Sequence, residues 1–188
     1  MNIHQLSVAY HVDYDRILVQ INTLAGEELR LWLTRRLVVN FLPHLNRLVI
    51  DVEAGTLQLA SHDEISKKVV AEFKKQESIT RSDFKTPFTT QASGYPIGEE
   101  PLLVTNIHLT PDGKGALRIG FEEKMVDQPA PRGFHMTMAS TLLHGFTHLL
   151  ESAIKVSEWG ILDPQKPIAD AADAAMASRP SDPPRYLN

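Results

Sequence analysis

Two stretches far apart in the chain follow one plan. Residues 28–45 read ELRLWLTRRLVVNFLPHL, and residues 133–150 read GFHMTMASTLLHGFTHLL. In each, apolar residues first alternate, Leu29, Leu31 and Leu33 being answered by Phe134, Met136 and Met138. The spacing then changes to threes and fours, with Leu37, Phe41 and Leu45 answered by the identical Leu142, Phe146 and Leu150. Period two puts side chains on one face of a strand, and a period of three to four puts them on one stripe of a helix. A strand that runs directly into an amphipathic helix is therefore written twice at one fixed offset. Any such joint with a buried stripe reproduces the apolar pattern by physics alone. A duplicated chain and an undivided α+β domain with two similar corners both satisfy it.

The segments before each joint extend the parallel. Leu6, Val8, Tyr10 and Val12 alternate with Ser7, Ala9, His11 and Asp13; DYDR supplies a turn, and Ile17, Val19 and Ile21 form a second alternating run before LAGEE turns again. Downstream, Leu103, Ile107 and Leu109 precede the turn PDGKG and the run Leu117, Ile119 and Phe121, the pattern of a hairpin. The fold class predicted is α+β: antiparallel sheet with packed helices, in two related strand-strand-strand-helix halves, at about 1–52 and 102–160. Thr34 is placed to cap the first helix, and Ser140 or Thr141 the second. Pro43, inside the first helical pattern, predicts a bend near residue 42 or a restart. The buried set expected is Leu31, Leu33, Leu37, Phe41, Phe134, Met138, Leu142, Phe146 and Leu150.

Residues 53–101 join the halves. One helix stands out in SHDEISKKVVAEFKKQES: Ser61 and Glu64 have capping-box spacing, and Ile65, Val69 and Phe73 form a narrow apolar stripe against lysines, as on a surface helix. ITRSDFKTPFTTQASGYPIGEEP follows neither period and reads as a long loop or partly disordered connection. Residues 1–160 are thus expected as a single domain and 161–188, rich in Pro, Ala and Asp, as a mobile tail.

Composition narrows the function classes. With 188 residues and 43% hydrophobic content the chain can build a core. A formal net charge of −4 creates no global field for polyanions, so any anion site must be local. The absence of cysteine excludes disulfides and thiolate metal sites. No apolar run approaches the ~18 residues that span a bilayer, and no leader pattern opens the chain. A cytoplasmic protein without a membrane partner is the expectation.

The run DRILVQINTLAGEELRLWLTRR (15–36) resembles the opening signature of an uncharacterised bacterial protein family, a resemblance that implies no activity. In topology alone, the repeated sheet-then-helix unit is similar to the Whirly and Pur-type single-strand nucleic-acid-binding folds. Those use four strands per unit where this sequence shows three, and none of their motifs is matched residue by residue.

Three constellations carry chemistry. His144, His148 and Glu151 share one helical face at a spacing that can chelate Zn²⁺ or Ni²⁺, but that face, which also carries Thr147, Lys155 and Glu158, is expected to be solvated. No Cys nucleophile, G-x-S-x-G elbow or glycine-rich phosphate loop is present, so no catalytic residue and no cofactor is assigned and the chain is read as a non-enzyme. Arg35 and Arg36 occupy the first helical turn, where the helix dipole disfavours cations. With free helix N–H groups they would make an anion site; alternatively one pairs with a nearby Glu. If Leu29, Leu31 and Leu33 face the core, Arg30 and Trp32 point to the other side, where Gln20 and Asn22 can join them. Arg30, Trp32, Arg35 and Arg36 are accordingly the candidate ligand-binding residues. Two functions follow: binding of single-stranded nucleic acid or an acidic partner, or self-association through the same sheet or the 141–160 helix.

Overall fold

The computed structural model describes residues 1–56, 64–83, 86–89, 91–126 and 130–162. Three strands, β1 (Ile3–His11), β2 (Arg16–Thr23) and β3 (Glu28–Thr34), lead into helix α1 (Arg35–Thr56). After α2 (Glu64–Arg81) come β4 (Leu102–Leu103), β5 (Asn106–Pro111), β6 (Ala116–Glu123) and β7 (Arg132–Ala139), and then α3 (Ser140–Ser157). The fold is α+β, and strand-strand-strand-helix occurs twice. Both helices begin at the residue after their strand, at Arg35 and Ser140, which keeps the offset of the sequence pattern.

The strands form two sheets, ordered β1-β2-β3-β4 and β5-β6-β7. All pairs are antiparallel except β3 with β4, where Leu31 and Trp32 lie beside Leu102 and Leu103. Leu103 was expected to open the second sheet; it instead extends the first, because Val104 N–H donates to the Trp32 carbonyl (3.1 Å) and so satisfies the β3 edge. The PDGKG turn does close a hairpin. Asp112 Oδ1 accepts from the Lys114 and Ala116 N–H groups (2.8 and 2.9 Å), and Gly113 and Gly115 take positive φ.

One core serves both sheets. Ile17, Val19, Ile21, Leu29, Leu31 and Leu33 from the first share one cluster with Leu117, Ile119, Phe121, Met136 and Met138 from the second and with the buried residues of α1 and α3. The helices interlock the halves: α3 lies along β1 as well as on β6 and β7, and α1 touches β5 and β6 as well as β3. Of the expected buried set, Leu31, Leu33, Phe41, Met138, Phe146 and Leu150 are buried. Leu37, Phe134 and Leu142 are only partly so, at the edges of the core.

Four local expectations need comment. Thr34 Oγ1 accepts from Leu37 N–H (3.4 Å), the cap predicted for α1. Ser140 and Thr141, by contrast, do not cap α3; Ala139 holds that position without a side-chain bond, and the Ser140 hydroxyl donates to Glu53 instead. α1 passes through Pro43 as one helix rather than restarting, its exposed ring outside while buried Phe41, Leu42 and Leu45 hold the backbone from the core side. On α2 the apolar stripe is outward: Ile65, Val69 and Phe73 are 73%, 64% and 68% exposed, and Ala71 and Ser78 are buried instead. The reason is that α2 covers polar groups of α1 and α3, which it meets with small and amphipathic side chains. The Ser61 and Glu64 side chains and residues 163–188 lie outside the described residues.

Candidate functional site

The outer face of the first sheet is set by its register. Reading across β1, β2 and β3, the rows are Ser7-Gln20-Arg30, Ala9-Leu18-Trp32 and His11-Arg16-Thr34. Alternation thus delivers Arg30 and Trp32 to the face predicted. Their surroundings differ sharply.

Arg30 is consumed internally. Buried Glu28 accepts from Arg30 Nε (2.8 Å) and from Gln20 Nε2 (2.9 Å), and the Arg30 guanidinium also donates to Tyr95 Oη (2.8 Å) and the Glu99 carbonyl (3.3 Å). Its central carbon lies 4.5 Å from the Tyr95 ring centroid. The Glu28 carboxylate raises the guanidinium pKa, so Arg30 is a fixed cation whose donors are engaged. Asn22 is covered too, donating to the Thr89 carbonyl (2.7 Å), while Thr89 N–H donates to Gln5 Oε1 (3.0 Å). Residues 86–89 and 91–99, expected as a long loop or partly disordered connection, are loop that packs across this end of the sheet.

The other end is open. Trp32 is half-buried, edge-on to His11 (centroids 5.3 Å, 89° between planes) and tilted against Tyr14 (5.2 Å, 43°). Tyr14 and Val12, in the β1–β2 turn, are 62% and 75% exposed. Arg16 lies one row from Trp32, and among the described residues no side chain engages its guanidinium or that of exposed Arg36.

Arg35 has a structural task. Its guanidinium donates to the Trp159 carbonyl (2.9 Å), tying the start of α1 to the segment after α3. Asp15 completes this corner by accepting from Trp159 Nε1 (2.6 Å) and Tyr10 Oη (2.9 Å), and these two bonds lower its pKa. The four candidates consequently do not form one site: Arg30 sits about 13 Å along the strand from Thr34, the residue before Arg35, and lies under the covering segment. His11, Tyr14 and Arg16 were missed; alternation, which puts His11 and Arg16 on the face away from Tyr10 and Ile17, was the signal for two of them, and Tyr14 lies in the turn, where alternation carries none.

The second sheet presents a polar outer face with rows Thr110-Arg118-Thr137 and His108-Gly120-His135. Gly120 leaves a depression of about 420 Å³ between the two histidines, bordered by Arg118 and Glu122. His108 Nε2 lies 3.1 Å from Glu122 Oε2, and His135 is exposed.

The α3 face expected to be solvated is exposed at Lys155 and Glu158 but not at His144. His144 is 1% exposed and Thr147 is also buried, because α2 and α1 pack over them. His144 Nε2 lies 3.4 Å from Glu53 Oε2, while Glu151 pairs with Lys75 (2.8 Å). The H-x3-H-x2-E set is thereby divided among different partners, and no metal-ligating group of three or more is present among the described residues.

Comparison with protein-family models, curated proteins and solved structures finds no match for the chain. The class defined is that of an interlocked two-sheet α+β protein. Among the described residues no helix is long and apolar enough to cross a membrane.

Proposed function

We propose that this is a cytoplasmic, non-enzymatic binding protein whose ligand surface is the open end of the first sheet, and that the ligand is single-stranded nucleic acid. The observation that carries the reading is the half-buried Trp32 flanked by Tyr14 and His11, one row from the unengaged Arg16 guanidinium. Bases stack on such rings for about 1–3 kcal/mol each, and guanidinium groups take the phosphates. Arg16 and Arg36 replace Arg30 and Arg35 as the cations of this surface, since the latter are already bonded within the protein. With a net charge of −4, binding depends on local charge and weakens as salt rises. Two phosphate contacts give a slope of about −1.4 in log K against log salt.

A second reading is favoured by exposed Val12 and Tyr14 beside Trp32: the same surface buried against a second copy of the chain. One titration separates them. A labelled single-stranded oligonucleotide is added at low and moderate salt to the wild type, Trp32→Ala and Arg16→Glu/Arg36→Glu, each checked for folding. Loss of affinity in both variants supports the nucleic-acid reading. No binding at low salt, or binding that neither change affects, removes it, and loss of a dimer in Trp32→Ala favours self-association.

A further inference from the structure

The three helices frame a second feature, separate from the sheet surface. α1 contributes Val49 and Ile50, α2 contributes Val69, Ala71 and Lys75, and α3 contributes His144, Thr147 and Glu151 to a cleft of about 520 Å³. That volume is in the range of small-molecule sites, which are mostly apolar with few oriented polar groups. Asn46 and the exposed Lys68 and Glu72 line the cleft as well; the more deeply set polar groups are nearly all satisfied. The Thr147 hydroxyl donates to the Leu143 carbonyl (2.9 Å), and Lys75 and Glu151 neutralise one another.

His144 is the exception. Its Nε2 faces Glu53, which lies on α1 and also accepts from Ser140; its Nδ1 is buried and has no hydrogen-bond partner. The carboxylate fixes the proton on Nε2, which leaves Nδ1 as a bare lone pair. Burial lowers the His144 pKa against the opposing pull of Glu53, so the ring stays neutral. Buried polar atoms without partners are rare and costly, and this one belongs to a residue that lines the cleft, so a small movement of the wall would offer it to a donor.

We propose that this cleft binds a small, largely apolar molecule that carries one N–H or O–H donor, and that His144 Nδ1 accepts that donor. The class follows from what the walls offer: aliphatic surface for the body of the ligand, one unsatisfied acceptor on a lining residue, and charges that are either paired, as Lys75 with Glu151, or exposed to solvent, as Lys68 and Glu72.

The test uses the full chain with ¹⁵N-labelled histidine. Long-range ¹H–¹⁵N spectra of the His144 imidazole are recorded alone and with indole, and with benzothiophene, an isostere without the N–H donor. A second pair, 4-methylphenol and 4-methylanisole, asks whether an O–H donor serves as well as an N–H. The expected result is an unprotonated Nδ1 in the free protein, an upfield Nδ1 shift with at least one donor-bearing probe, and affinity about ten-fold weaker for its donorless partner. Ala71→Phe, which fills the cleft and leaves His144 in place, is expected to abolish binding. Nδ1 protonated in the free protein, equal affinity within both pairs, no binding by either donor, or binding undisturbed in folded Ala71→Phe would each overturn the proposal.

Discussion

One substitution, glycine to alanine, should have opposite effects at two positions. Gly133 sits in β7 beside Glu122 of β6, and a Cβ built on it would lie 2.3 Å from the Phe121 carbonyl oxygen and 3.1 Å from the Glu122 Cα. Ordinary contacts begin near 3.4 Å, so the new methyl must push backbone by roughly 1 Å. The obstacle is another strand, not a side chain that can rotate away. Overpacking of this kind costs about 1–3 kcal/mol, and strained ladder bonds add to it. Gly145 is the contrast. It lies inside α3, where a Cβ meets nothing within 4 Å. Alanine there recovers the backbone entropy that glycine loses in a helix, about 0.5–1 kcal/mol. For a chain of this size each kcal/mol moves Tm by about 2–4 °C. Urea and thermal denaturation of both variants should place Gly133→Ala several degrees below the wild type and Gly145→Ala a few degrees above. A Gly133→Ala protein within 0.5 kcal/mol of the wild type, as an order-of-magnitude limit, would refute the crowding argument. A destabilised Gly145→Ala would refute the open space on α3.

Other outcomes can be stated briefly. His144 has a lowered pKa in the folded state, so the unfolded chain takes up its proton first; stability is complete above the unfolded value of about 6.5 and declines as pH falls below it, by up to ~1.4 kcal/mol per pH unit until the folded ring protonates. Urea titrations at descending pH check this, together with an imidazole ¹⁵N titration in which Glu53 and Glu72 favour the charged ring and Lys75 opposes it; a folded His144 titrating at or above the ordinary value would contradict it. Pro43→Ala restores an N–H donor in the middle of α1 at an exposed position and should raise stability by up to ~3 kcal/mol. Unchanged or lower stability would show that α1 depends on the proline ring.

Much of the scaffold was legible in the sequence because its signals are local. Alternation located the strands on either side of each turn, the change of period located the joint at Thr34 and came within one or two residues of the one at Ala139, and Thr34 could be assigned as a cap from its place alone. The same alternation put Arg30 and Trp32 on the outer face, so Trp32, the centre of the candidate surface, was readable from the sequence. Periodicity says which side chains share a face, and nothing about what lies over that face. Tertiary packing made those decisions. It turned Ile65, Val69 and Phe73 outward, buried His144 against Glu53 from a helix 91 positions away, moved Leu103 into the first sheet, and enclosed Arg30 with Glu28 and Tyr95. Each outcome depends on a partner distant along the chain, and the free energy of a polar face is set by whether such a partner or water reaches it. The residues themselves were visible in the sequence; the neighbours that determine their chemistry existed only once the helices had packed against strands of both sheets.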